Sequence, residues 1–264
     1  MEGRIILRIL LTNDDGIEAQ GIRVLWKELA SVTDVTVSVV APDAEQSATS
    51  QAITVRQPIR VDPYSIEQFP RFSAWRVNGT PTDCVKVALE ALLEEKPDIV
   101  VSGINHGPNL GTDVLYSGTV SAAIEGALHG IPSVAVSLNC FKDFNFSPAA
   151  QFMRTLIFMI RKQGLPPNTL LNVNVPAFAG KEIAGVAITK LGVRQYQNTF
   201  ERREDPHGRI YYWMGGKLAD SNNDDDSDVA AVGNNLISVT PVHFDLTNYN
   251  IMHLLQSWNL STGN

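Results

Sequence analysis

The sequence predicts an α/β protein: a Rossmann-like, three-layer α/β/α arrangement around a mostly parallel sheet, followed by an extended C-terminal arm. Three observations carry that reading. Short β-branched or leucine-rich runs alternate with longer amphipathic stretches through the first two thirds of the chain. The runs near 5–11, 35–40 and 98–102 each end in a polar loop that carries acids, asparagine or hydroxyls. After Pro176 the alternation stops and extended segments with long polar loops take over. Alternating strand and helix patterns fold as parallel, doubly wound sheets with helices on both faces.

In order, strands are expected near 5–11, 35–40, 98–102, 132–137 and 169–174. Helices are expected near 20–31, 81–94, 118–129 and 147–163. Between them, 52–62 and 72–78 read as extended excursions. Beyond Pro176, the stretch Ile183 to Trp213 reads as extended segments, and Asp245 to Trp258 as a helix capped by Asp245 or Thr247. Its apolar positions Ile251, Leu254, Leu255 and Trp258 recur at helical spacing. They serve either for packing on the parent domain or for contact with a partner. The chain therefore divides into residues 1–176, a Rossmann-like core, and residues 177–264, a hairpin and helix extension.

Composition bounds the function. The chain has 264 residues, 44% apolar and 19% charged, which is enough to build one large core or two modest ones. A net charge of −7 argues against affinity for a nucleic-acid duplex or an anionic membrane surface. No stretch approaches the roughly 20 apolar residues of a membrane helix, and Met1–Arg4 before a short strand is not a leader peptide. Two cysteines, Cys84 and Cys140, without metal-ligand spacing fit a reducing compartment, so a cytoplasmic location is expected. The five histidines are dispersed.

Three loops carry the chemistry. The first strand ends in Asn13-Asp14-Asp15-Gly16. Open parallel sheets bind ligands beyond the carboxyl ends of their strands. Two adjacent anions there are suited to a hard cation such as Mg2+ or Mn2+. Read locally, the same run is also an ordinary turn. The strand from Asp98 runs into Ser102-Gly103-Ile104-Asn105-His106-Gly107-Pro108-Asn109-Leu110-Gly111. Ser117-Gly118-Thr119 follows at the start of a small-residue helix, where free N–H groups and the helix dipole favour an anion. A plain helix cap explains Ser117 or Thr119 equally well, but not the long glycine-rich approach. The second strand leads into Ala41-Pro42-Asp43-Ala44-Glu45-Gln46-Ser47, where Ser47 offers a neutral oxygen on the same rim.

Taken together and in order, these motifs resemble the survival protein E (SurE) family of metal-dependent 5'/3'-nucleotidases. The resemblance runs from Thr12–Ile17 through Ala41-Pro42-Asp43 with Ser47, Asn78–Val85, Ser102–Asn105, Asn109–Gly111 and Tyr116–Val120. It continues to Asn172–Pro176, Ser227–Val232 and Ser238–Pro241. It implies one divalent ion per subunit, Mg2+ or Mn2+, held by Asp14, Asp15, Ser47 and Asn105. Asp14, Asp15 and Asn105 would then be catalytic. Ser117, Gly118 and Thr119 would hold the phosphate of a nucleoside monophosphate, with Asn13 and Asn109 as further contacts. The resemblance also implies a homodimer or homotetramer that exchanges its late elements. Departures are Ala48 where the family often has glycine, Ser227 where it often has threonine, and His106 at a variable place. The acidic stretch Asp220 to Asp228 has no assigned role.

Other classes fit less well. A phosphorylation receiver domain needs an aspartate at a central strand end, and a lysine after a later strand. Here Ser102-Gly103 and Leu138-Asn139 stand in those places. A haloacid-dehalogenase-type phosphatase needs Asp-x-Asp after strand one, which Asp14-Asp15-Gly16 does not provide. A dinucleotide-binding oxidoreductase needs Gly-x-Gly-x-x-Gly there.

Overall fold

The computed structural model describes residues 6–66, 72–140, 142, 145–177, 182–197, 199–219, 222–258 and 260. Met1–Arg4, Ile5 of the first expected strand and Asp220 of the acidic stretch lie outside the described residues. The first half contains β1 (Leu7–Thr12), α1 (Gln20–Ala30), β2 (Val35–Pro42), β3 (Val61–Pro63), β4 (Ser73–Val77), α2 (Pro81–Val87) and β5 (Ile99–His106). A 3-10 turn (Gly111–Leu115) leads to α3 (Gly118–Leu128), β6 (Ser133–Asn139), α4 (Ser147–Gln163) and β7 (Thr169–Pro176). The last third holds β8 (Gly185–Ile188), β9 (Tyr196–Gln197), β10 (Phe200–Glu204), β11 (Ile210–Met214), β12 (Lys217–Leu218), α5 (Asp228–Gly233), β13 (Leu236–His243) and α6 (Tyr249–Ser257).

Local sequence explains the helices. In α1, Ile22, Leu25, Trp26 and Leu29 fall on one buried stripe. α2 opens on a capping box, Thr80 with Asp83, and carries Pro81 in its first turn. α3 opens on Ser117, whose hydroxyl accepts from Val120 N–H at 3.0 Å. α4 has Pro148 in its first turn and ends at Gly164, with φ 75°.

The main sheet runs β3-β4-β2-β1-β5-β6-β7-β13-β8. Its neighbours are parallel except the pairs β3–β4 and β7–β13. Side chains alternate across β1: Leu7, Ile9 and Leu11 pack under α1 and α4, and Leu10 packs on the opposite side with α2. Both faces are therefore covered, and the sheet is the middle layer of three. The chain leaves β1 toward β2 and returns on its other side as β5. The carboxyl ends of β1 and β5 thus form the crevice where strand order reverses.

Several expectations shift. The expected excursions 52–62 and 72–78 contain β3 and β4, which extend the sheet edge. The strand expected to stop at Ser102 continues to His106, with a slip of register against β6 between Ser102 and Asn105. Such an irregularity re-aims side chains at a strand end. Beyond Pro176, β8 and β13 join the main sheet, while β10 and β11 form a separate hairpin whose residues are all exposed. The last helix starts later than expected. Asn248, not Asp245 or Thr247, caps it, because the Asp245 carboxylate is engaged by Thr247 N–H and the Tyr249 hydroxyl. α6 has no buried residue among those described, so its apolar stripe does not pack on the parent domain.

Candidate functional site

Asp14 and Asp15 follow directly on β1, in the crevice. Asp14 is buried, with 6% exposure. Its backbone oxygen accepts from Gln46 N–H at 2.7 Å, which draws the loop bearing Ser47 onto the end of β1. Its carboxylate lies against the start of α3. Thr119 Oγ1 donates to Asp14 Oδ1 at 2.5 Å. A Cβ on Gly118 would stand 3.0 Å from Asp14 Cβ, so any larger residue there would have to push the Asp14 side chain aside by a few tenths of an ångström. The acidic pair and the helix start read separately from the sequence are therefore in direct contact.

Asp15 is gripped from the other side. The His106 backbone N–H donates to Asp15 Oδ2 at 3.2 Å, and the His106 ring Nδ1 meets Oδ1. This places the backbone of Asn105, the residue before His106, beside the same loop. Asn105 Nδ2 donates to Gly107 O at 2.9 Å, which fixes which way its amide points. Ser47 is exposed and its hydroxyl donates to Glu45 at 2.6 Å, so reaching a cation requires it to turn away from Glu45. Ala48 beside it has φ 56°, a left-handed conformation that costs a Cβ-bearing residue about 1 kcal/mol.

Burial and mutual repulsion set the electrostatics of the pair. Burial holds the Asp14 carboxyl above its ordinary 3.8, against the pull of its hydrogen bonds from Thr119. Asp15 is raised from 3.8 to about 6, first by burial and then by the charge of Asp14. Asn13 Nδ2 donates to Gly16 O at 2.9 Å, while its buried Oδ1 has no hydrogen-bond partner among the described residues. Two crowded carboxylates with a hydroxyl and an amide nearby form a hard-oxygen donor set, which fits Mg2+ or Mn2+.

Ser117 caps α3, as the local reading allowed, and Thr119 contacts Asp14. Asn109 is engaged in holding its loop. Its N–H donates to Asn174 Oδ1 at 2.8 Å and its Nδ2 to Ser137 Oγ at 2.7 Å. Its carbonyl accepts from Asn172 Nδ2 at 2.8 Å and Asn174 Nδ2 at 3.0 Å. Alternation along β7 puts both asparagines on the face that meets this loop. Sequence reasoning assigned no role to His106, Asn172, Asn174, Arg194 or Asp228. The position of His106 beside Asn105, and the motifs that hold Asn172, Asn174 and Asp228, pointed to those four; no sequence signal marked Arg194.

Comparison with known proteins agrees. The family model "Survival protein SurE" matches residues 9–198. A protein of Heliobacterium modesticaldum named 5'-nucleotidase SurE is 53% identical over 252 residues, covering 96% of this chain and 92% of the relative. One of Syntrophomonas wolfei with the same name is 52% identical over 256 residues, covering 97% and 94%. The crystal structure of the Sure protein from Aquifex aeolicus superposes with a TM-score of 0.80 at 38% identity, covering 95% of this chain and 99% of that one. With the motifs in order, the same fold and matches over nearly the full length, this chain belongs to the survival protein SurE family.

Proposed function

We infer that the crevice at the ends of β1 and β5 hydrolyses nucleoside 5'-monophosphates to nucleoside and inorganic phosphate. The chain is a 5'-nucleotidase, a phosphoric monoester hydrolase. The observation that carries the reading is the contact of Asp14 with Gly118 and Thr119, which joins a cation-binding pair to an anion-binding helix start. Asp14, Asp15, Ser47 and Asn105 would hold one divalent ion, Mg2+ or Mn2+, per subunit. When bound, that ion polarises the phosphoryl group and makes water a better nucleophile. Ser47 and Asn105 are neutral, so the two carboxylates only balance the ion's two charges and no net negative charge faces a phosphate. The backbone N–H groups of Ser117, Gly118 and Thr119 and the Ser117 hydroxyl would present donors to the phosphoryl oxygens. Thr119 also fixes the Asp14 side chain, and so couples the two halves. Asn13 shapes the acidic turn, and Asn109 the approach to α3. Acceptance of 3'-monophosphates is part of the same proposal, because no feature of this cradle depends on which hydroxyl carries the phosphate.

Residues 177–264 act as an extension of the 1–176 core. β8 and β13 complete the main sheet and α5 packs against β13, and β10–β11 with α6 serve assembly into a homodimer or homotetramer. The exposed Trp213 and Trp258, at 59% and 58%, support this, as do their exposed apolar neighbours. Free Cys84 and Cys140 support a cytoplasmic location. The test is a panel of nucleoside 5'- and 3'-monophosphates with Mg2+ and Mn2+ on the intact chain and on Asp14→Asn. Turnover of the 5'-monophosphates by the intact chain, and its loss in folded Asp14→Asn, is expected. Normal turnover by the variant at saturating Mn2+ refutes the assignment.

A further inference from the structure

Asp228 stands at the start of α5, over a hundred residues beyond every proposed site residue. It is fully buried, and its carboxylate accepts from three backbone N–H groups. Gly111 N–H donates to Oδ2 at 2.8 Å, and Gly192 and Val229 N–H to Oδ1 at 2.8 Å each. A buried carboxylate is tolerated only when its oxygens are satisfied in this way. Two of the donors come from segments 117 and 36 positions away, so this one side chain ties three parts of the chain together.

The segment around Gly192 is a strap lying along the approach to α3. A Cβ on Gly111, which has φ 52°, would stand 2.6 Å from Gly192 O, so the two backbones touch. Next along, Thr112 Oγ1 donates to Arg194 O at 2.6 Å and accepts from Arg194 N–H at 3.2 Å. The Arg194 guanidinium lies 2.7 Å from Asp113, with side-chain exposures of 12% and 19%. The Tyr196 hydroxyl donates to the same carboxylate at 2.8 Å. From Gly111 a single 3-10 turn runs to Leu115 and delivers Ser117. Ser50 secures its far end by donating to Leu115 O and Tyr116 O. The helix start is thus held at a fixed offset from Asp228.

We propose that Asp228 is a positioning residue for phosphate binding: by gripping Gly111 N–H against the strap, it sets where Ser117, Gly118 and Thr119 stand relative to Asp14. This rests on the reading of that helix start as the phosphate site. The test uses the full chain carrying Asp228→Asn, which keeps the shape but turns an NH2 toward one of the N–H donors. KM for a nucleoside 5'-monophosphate and Ki for inorganic phosphate are expected to rise roughly tenfold. Mn2+ affinity, read by paramagnetic resonance of free Mn2+ without substrate, is expected to stay within about threefold of the parent, a change worth well under 1 kcal/mol. A role confined to folding lowers the unfolding temperature and the active fraction but leaves KM and Ki unchanged, and that result overturns the proposal. Thr112→Val cuts the strap contact without burying a polar group, so it carries the test where Asp228→Asn does not fold. A raised Ki supports the clamp and an unchanged Ki overturns it. Ser117→Ala separates the two failures. An unchanged Ki in Ser117→Ala refutes the phosphate-site reading. A raised Ki there, with parental values in both clamp variants, refutes the clamp alone.

Discussion

Asp15→Asn should stabilise the metal-free protein while abolishing its response to metal. In the folded chain the Asp15 carboxyl is raised from 3.8 to about 6 by burial and by Asp14. A folded-state pKa above the unfolded value means that the folded chain binds the proton more tightly. The destabilisation is therefore absent below pH 3.8, grows between 3.8 and about 6, and is constant above. At roughly 1.4 kcal/mol per pKa unit, the full effect is about 3 kcal/mol. The amide keeps one oxygen acceptor, so of the two His106 contacts, backbone N–H to Oδ2 and ring Nδ1 to Oδ1, the variant gives up one, which costs about 1 kcal/mol. A net gain of about 2 kcal/mol remains above pH 6. Urea unfolding in EDTA from acid to neutral pH, at one protein concentration, measures it. The parent should lose stability relative to Asp15→Asn as pH rises through this window. Adding Mn2+ at a hundred times its Kd should return about 2.7 kcal/mol to the parent and nothing to the variant, which erases or reverses the ranking. A variant less stable than the parent in EDTA at neutral pH refutes the reasoning. So do two pH curves that run parallel.

Two further outcomes follow from the same geometry. Ser117→Ala removes the cap bond to Val120 N–H and should cost about 1 kcal/mol of stability, with a larger proportional loss in phosphate inhibition. An equal stability loss with unchanged inhibition assigns Ser117 to capping alone. Deleting residues 245–264 removes the exposed stripe of α6 and should weaken the dimer and lower activity, although every proposed metal ligand precedes His106. Light scattering and nucleotidase assays on intact and truncated chains check both halves. A monomeric, fully active intact protein refutes the assembly claim.

Much of the core was legible because each element is a local pattern. The stripe of Ile22, Leu25, Trp26 and Leu29, the Thr80 cap and the mostly apolar run of β1 all depend on neighbours within a turn or a pleat. The acidic pair was legible for a similar reason: β1 and its loop are contiguous, and a strand end in an alternating chain lies on the binding rim. The late strands were not. β8 and β13 earn their place in the sheet only by pairing with β7 and each other, a register that no local period encodes. β3 is too short to announce itself.

By itself, then, the sequence determined the three-layer class, the motif order that marks the family, and which residue types gather at the strand ends. Tertiary structure decided their relations: that Thr119 donates to Asp14, that His106 grips Asp15, and that Asp228 reaches across 117 positions to Gly111. The physical reason is range. Periodicity and capping act over a few residues and are written locally. A hydrogen bond between distant segments depends on how the whole sheet brings their ends together, and only the folded chain supplies that closeness.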